Sequence, residues 1–291
     1  MLNQAASHLQ FATDTGQVRT VLVVVLDSLR WDSFQEARTP VIDEVCSFTE
    51  QRMSYASWTL PSHSCLFSGL LPWRPEPGRA AAATYRDDFL FWSHLLTGDG
   101  KHAGNFHPTM SLAGMAEECG WSAHARVSMP VLRPEAGLRH GFPDYVLSPQ
   151  GSGLGAQVSS IRLADDRPNL VFINAAETHY PFMLPKSRLP RLPGAHGVAG
   201  RDLAAGSTGP SDGYLLTFSD DDYLEMKAAQ IRAVEVADRR LGAVIEQLPK
   251  PLAVVVTADH GELFGEDGMF GHGPYFHPAL FQVPLTMGVV S

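Results

Sequence analysis

Cysteine is scarce in this chain: three in 291 residues, Cys46, Cys65 and Cys119, with no two at CxxC spacing. That excludes a disulfide framework and a thiolate zinc cluster, and it suits a reducing, cytoplasmic setting. Long hydrophobic runs are missing too, since no stretch approaches the ~18 apolar residues that a membrane span requires. The opening residues, MLNQAASHLQFATDTGQ, lack the basic start and apolar centre of a secretory signal. Positive charge is in deficit, with 22 Lys and Arg against 31 Asp and Glu, net −9. A nucleic-acid backbone or an anionic membrane is therefore not the expected partner. A local positive site built on a bound cation is still allowed.

What the chain does have is short apolar, β-branched runs ending in polar residues. Leu252 to Thr257 reads as a buried strand, and Asp259, His260, Gly261 and Glu262 follow it. Val21 to Leu26 (VLVVVL) reads as a second, ended by Asp27, and Asn169 to Ala175 as a third. The carboxyl ends of such strands are where open α/β sheets bind ligands. Thr59 stands two residues before Pro61 and a helix predicted over 61–69, which puts its hydroxyl near free backbone N–H groups that favour an anion. Locally, Thr59 also reads as a plain helix N-cap. His272 lies in a Gly-rich loop beyond Asp259.

Other predicted elements are a helix from Thr39 (N-cap) and Pro40, a strand from Phe48 to Tyr55, helices over 89–96 and 108–119, strands over 121–127 and 281–289, and a long helix over 220–248. The last has a charged face, including Glu235, Asp238, Arg239 and Arg240, read as solvated. Gly137 to Tyr145 reads as a loop. Residues 184–218, rich in Pro, Gly and Ser, read as a mobile loop or lid. Strands alternating with helices predict a single α/β domain over 1–291, with a mainly parallel sheet and helices on both faces.

Asp27, Asp259 and His260 offer two hard oxygens and an imidazole, a set that suits Mn²⁺, Zn²⁺, Mg²⁺ or Ca²⁺ without choosing among them. The order of motifs is strand-Asp27, then Thr59-Leu60-Pro61-Ser62-His63 with Ser68-Gly69, then Asp259-His260-Gly261-Glu262, then Gly271-His272-Gly273. In that order the chain resembles the sulfatase-like branch of the alkaline phosphatase superfamily, from Val21 to Leu285. The resemblance implies one divalent cation, with Mn²⁺ expected first, held by Asp27, Asp259, His260 and Thr59. It makes Thr59 the nucleophile too, and it implies that His179 and His272 contact the anion or leaving group. His63 stands where sulfatases have Arg and is expected to hold Thr59 or the anion. Glu262 is expected to support a metal ligand. Relatives usually continue into a C-terminal subdomain, so a compact version of the fold is expected.

Two departures shape the functional expectation. Sulfatases carry at the Thr59 position a Cys or Ser that becomes formylglycine; Thr cannot. Sulfatases often have a second Asp after the first, whereas here Ser28 follows Asp27. The expectation is a single-metal hydrolase of phosphate or phosphonate esters, as in phosphonate monoester hydrolases, acting through a phospho-Thr59 intermediate on a small anionic substrate. The alternatives are a soluble phosphotransferase, a sulfatase, or a metal-binding member without turnover.

Overall fold

The structure, a computed structural model, describes residues 18–69, 111–136, 138–139, 141–184, 189, 218–273 and 275–291. The expected helix over 89–96 and nearly all of the expected lid over 184–218 lie outside these residues.

The three apolar runs are the middle of the sheet. Strand β1 (Thr20–Leu26) pairs in parallel with β5 (Asn169–Ala175) on one side and β6 (Leu252–Thr257) on the other. Beyond β5 come β3 (Ser122–Val127) and β4 (Asp144–Leu147), both parallel; beyond β6 come β9 (Gln282–Val290), antiparallel, and β2 (Phe48–Met53). A two-stranded ribbon of β7 (Leu263–Phe264) and β8 (Phe270–Gly271) follows β6. Strands buried on both faces read as unbroken apolar runs, which is why β1, β5 and β6 were legible.

Period-2 alternation splits β1 between two cores. Leu22, Val24 and Leu26 join a cluster with Val234, Ala237, Leu241 and Val244 of the long helix α6 (Asp220–Gln247). Val25 faces the other way, with Phe172, Cys65, Phe67 and Ala113. These last three sit on α3 (Thr59–Ser68) and α4 (Leu112–Glu118). The first face also carries α1 (Trp31–Glu36), α2 (Pro40–Val45) and α5 (Leu154–Ser159), which pack on α6. Thus the predicted layering, a mostly parallel sheet with helices on both faces, is the one observed. No described helix is long and apolar enough to cross a membrane.

Several details differ from the sequence reading. Asp144 and Tyr145 open the edge strand β4 rather than closing a loop; four residues, DYVL, are too few to show a period. Helix α5 (LGAQVS) was not anticipated, being short and holding a Gly. Asp238 is not on a solvated face. It is 1% exposed, and its carboxylate accepts from the backbone N–H groups of Val41 (3.2 Å) and Ile42 (2.9 Å). It satisfies the open N-terminus of α2, where Thr39 is the N-cap but its side chain makes no capping bond. Helix α6 itself starts in a reciprocal capping box between Ser219 and Asp222.

The register fixes where chemistry can occur. Leu26 lies opposite Ala175, and Val25 opposite Thr257, so the three central strands end at one edge. Asp27, Ala176 and Asp259 therefore leave the sheet side by side.

Candidate active site

Asp27, Asp259 and His260 are each fully buried, and one ligand atom from each lies within 4.8 Å of the others. His260 Nε2 is 3.3 Å from Asp259 Oδ2 and 3.9 Å from Asp27 Oδ1. Its Nδ1 donates to the Gly261 carbonyl (2.8 Å), which leaves the Nε2 lone pair facing the two carboxylates. Gly261 is required there: an added Cβ would lie 1.9 Å from the Ala279 carbonyl oxygen.

Burial, then the Asp27 charge, push the Asp259 carboxyl well above the usual carboxylate range. Burial works to raise Asp27 as well, but the His179 and His260 imidazoles and the Asn174 amide outweigh it and hold Asp27 low. Burial, with His272 adding to it, depresses His260 well below its ordinary value and keeps it neutral. Asp259 Oδ2 is buried with no hydrogen-bond partner among the described residues. Two buried carboxylates with no Lys or Arg beside them among the described residues, one unpartnered oxygen and a neutral imidazole together fit a divalent cation.

Thr59 is the first residue of α3, not its N-cap; Trp58 takes that position without a side-chain cap. The Thr59 Oγ1 is 3.2 Å from His260 Nε2, at the edge of the Asp27–Asp259–His260 cluster. His63, one turn on, donates from Nδ1 to the Thr59 carbonyl (2.9 Å) and lies 3.6 Å from Asp259 Oδ2. Its ring sits edge-on to Phe67 and Phe172. Of the two expected roles for His63, the observed contact is with Thr59, through its main chain.

His179 Nε2 is 4.0 Å from Asp27 Oδ1, and its ring is 5.2 Å from that of His272. His272 Nδ1 is 2.9 Å from Glu262 Oε1 and 3.5 Å from Ser28 Oγ. Glu262 thus pairs with His272 rather than with a member of the Asp27–Asp259–His260 cluster, which corrects its expected role. Burial acts to lower His272, but the Glu262 charge and hydrogen bond raise it overall. Ser57 Oγ donates to the Gly273 carbonyl (2.6 Å), tying the Thr59 turn to the His272 loop. His277 accepts from Ala279 N and caps α7 (Pro278–Phe281).

Four residues of the surrounding shell were not expected to support the site. Ser28 adopts a left-handed backbone (φ 61°), and its N–H donates to Asp259 Oδ1 (3.1 Å) while its hydroxyl donates to Asp27 Oδ1 (3.1 Å). Asn174 donates to Asp27 Oδ2 (2.8 Å), and Thr178 donates to the Asp27 carbonyl (2.8 Å). Gln230, buried on α6, donates to the Ser28 carbonyl (2.8 Å). Only Ser28 left a signal, as the residue standing where a second Asp would be.

No family model and no curated protein matches the chain. Solved structures do. A putative sulfatase from Bacteroides thetaiotaomicron matches with a TM-score of 0.60 at 15% identity, over 93% of this chain and 64% of that one. The C-terminal periplasmic domain of the phosphoethanolamine transferase EptC from Campylobacter jejuni matches with a TM-score of 0.54 at 13% identity, over 93% of this chain and 79% of that one. The corresponding domain of EptC from Escherichia coli, in complex with zinc, gives 0.56 at 12%, over 94% and 73%. The chain shares its fold with these sulfatase and phosphoethanolamine transferase structures.

Within this sulfatase-like fold, the one cysteine near the Thr59 turn is unsuited to modification. Cys65 is 1% exposed, its thiol donates to the Pro61 carbonyl (2.9 Å), and burial pushes its pKa up. Ser28, in the position of a second acidic residue, supplies hydrogen bonds to both carboxylates instead of a third charge.

Proposed function

We propose that this chain is a metal-dependent hydrolase of phosphate or phosphonate esters that works through Thr59. The observation that carries this reading is the Thr59 hydroxyl at the start of a ten-residue helix, 3.2 Å from His260 Nε2 and beside the buried Asp27–Asp259 pair. Asp27, Asp259, His260 and Thr59 would hold one divalent cation, Mn²⁺ or Zn²⁺ first. Such an ion, when bound, lowers the pKa of a coordinated hydroxyl and neutralises charge on the phosphoryl group.

The chain's own residues supply the rest. The first-turn N–H groups of Thr59 and Leu60, at the positive end of α3, would favour the anion, Pro61 having none. Thr59 Oγ1 loses its proton to solvent water and bonds to phosphorus as the bond to the leaving oxygen breaks. His179 or His272 hands that oxygen a proton. Water then cleaves the phosphothreonine and frees the enzyme. Thr59 cannot form formylglycine, which favours phosphoryl over sulfuryl esters. The test is turnover by metal-stripped protein of 4-nitrophenyl phosphate, a phenylphosphonate, a phosphodiester and a sulfate, with each metal added back. Metal-dependent cleavage of the phosphorus esters, abolished in Thr59→Ala, is expected. Unchanged turnover in Thr59→Ala sinks the assignment.

A second reading, transfer of the phosphoryl group from Thr59 to an alcohol, is favoured by the phosphoethanolamine transferases among the structures that share the fold. An acceptor alcohol added to the assay separates the two: the transferase yields a new ester in place of free phosphate.

A further inference from the structure

Beside the candidate site is a cleft of about 370 Å³ at the carboxyl ends of β3, β4 and β5. This is within the range of small-molecule pockets. Its walls are apolar, from Met129, Pro130, Leu147, Phe182 and Met183. No Asp, Glu, Lys or Arg is among its described lining residues. The Ser128 and Ser148 hydroxyls on its border are already engaged by the buried Gln157 amide, at 3.0 and 3.4 Å.

Two features tie the cleft to the chemistry. His179 is part of its lining, and its Nε2 also reaches to 4.0 Å from Asp27 Oδ1, so one residue borders both spaces. Asn174 links them again: its side-chain oxygen accepts from the N–H groups of Ser128 and Met129 (3.1 and 3.2 Å), and its amide donates to Asp27. The wall is also held in an unusual shape. Phe182 has φ 64°, a conformation rare for a bulky side chain, and its N–H donates to the His179 carbonyl (2.7 Å).

We infer that this cleft is the leaving-group subsite, and that it takes the uncharged, apolar body of the ester's alcohol, an aryl or alkyl group. The inference rests on the phosphoryl-ester reading of the site. A leaving group bound there brings its ester oxygen to His179, the residue common to both spaces. An ammonium-bearing alcohol finds no carboxylate in the described lining, and a polyanionic sugar finds no cation. Two methionines in the walls let the cleft adapt to more than one apolar shape.

The test compares three esters of primary alcohols on the metal-loaded full chain: 2-naphthylmethyl phosphate, methyl phosphate and O-phosphoethanolamine. In parallel, binding of free 2-naphthylmethanol is followed by ligand-observed NMR, for wild type, Met183→Glu and the conservative Met183→Leu. We expect kcat/KM for the naphthylmethyl ester to exceed that for the other two by about tenfold or more. Met183→Glu should erase that advantage and the alcohol binding, and Met183→Leu should keep both. Equal kcat/KM for methyl and naphthylmethyl esters, or a preference for O-phosphoethanolamine, overturns the subsite and leaves the hydrolase reading intact. Binding of the alcohol by wild type but not Met183→Glu, with no ester turned over, supports the cleft's apolar specificity and removes the phosphoryl reading. Neither turnover nor binding overturns both. The wild-type comparison decides the matter even if Met183→Glu misfolds.

Discussion

The Ser28 amide donates to Asp259 Oδ1 across 231 residues of sequence, at 3.1 Å. Ser28 takes a left-handed backbone at this turn out of β1. Ser28→Pro removes the donor and forbids the conformation. It should weaken Mn²⁺ binding by about tenfold or more, the usual cost of losing support for a ligand. Ser28→Gly keeps the amide and should stay closer to wild type. Calorimetric metal titration checks both, and equal affinities for Ser28→Pro and wild type would count against this bond.

Metal removal should lower the melting temperature. Asp27 and Asp259 are buried together, and an ion that binds the folded chain and not the unfolded one stabilises it by mass action. At a free metal concentration of about 100 Kd the gain is about 2.7 kcal/mol. Thermal melts with and without chelator, over a range of added Mn²⁺, should show a midpoint that climbs with concentration. A midpoint indifferent to metal would argue against the ligand set.

Asp238→Ala should destabilise the fold without touching the site. It leaves the N–H groups of Val41 and Ile42 without their carboxylate acceptor, a loss of about 1–3 kcal/mol. Asp238→Asn, which keeps one acceptor oxygen, should lose less. Denaturant midpoints read the difference.

Asp32 gives a signed pH dependence. Burial works to raise it, but the Arg30 and Lys227 partners outweigh this and bring it down to about 2. A carboxyl depressed in the folded state adds stability above its unfolded value, about 3.9. That contribution fades as pH falls toward 2. The stability gap between wild type and Asp32→Asn should therefore be full at pH 6 and shrink between about pH 4 and 2. Urea melts across that range test it, and a gap that widens on acidification would contradict the ion-pair account.

The central strands and the residues at their ends were legible because one physical constraint writes both. A strand buried on two faces must be apolar throughout, so the first polar residue after it, Asp27 or Asp259, stands out. Thr59 was visible through the helix that follows it. Asn174 and Gln230 were not, because each interrupts an otherwise buried face by a single polar group whose partner lies far away in sequence. Asp238 was misread for a related reason: helical periodicity sorts residues by face, but it cannot see the α2 N-terminus that packs on that face. The short elements, β4 and α5, are held by neighbours rather than by their own pattern.

Strand β1 occupies the centre of the sheet, yet both its neighbours, β5 and β6, are made long after it. As the chain emerges, TVLVVVL must wait with two open edges, a β-branched segment without internal charge of the kind that drives aggregation. Arg19 and Asp27 flank it, placing one charge at each end of the run, the arrangement that opposes such association. Asp27 thus closes off, by its charge, the same apolar run that delivers it to its place beside Asp259.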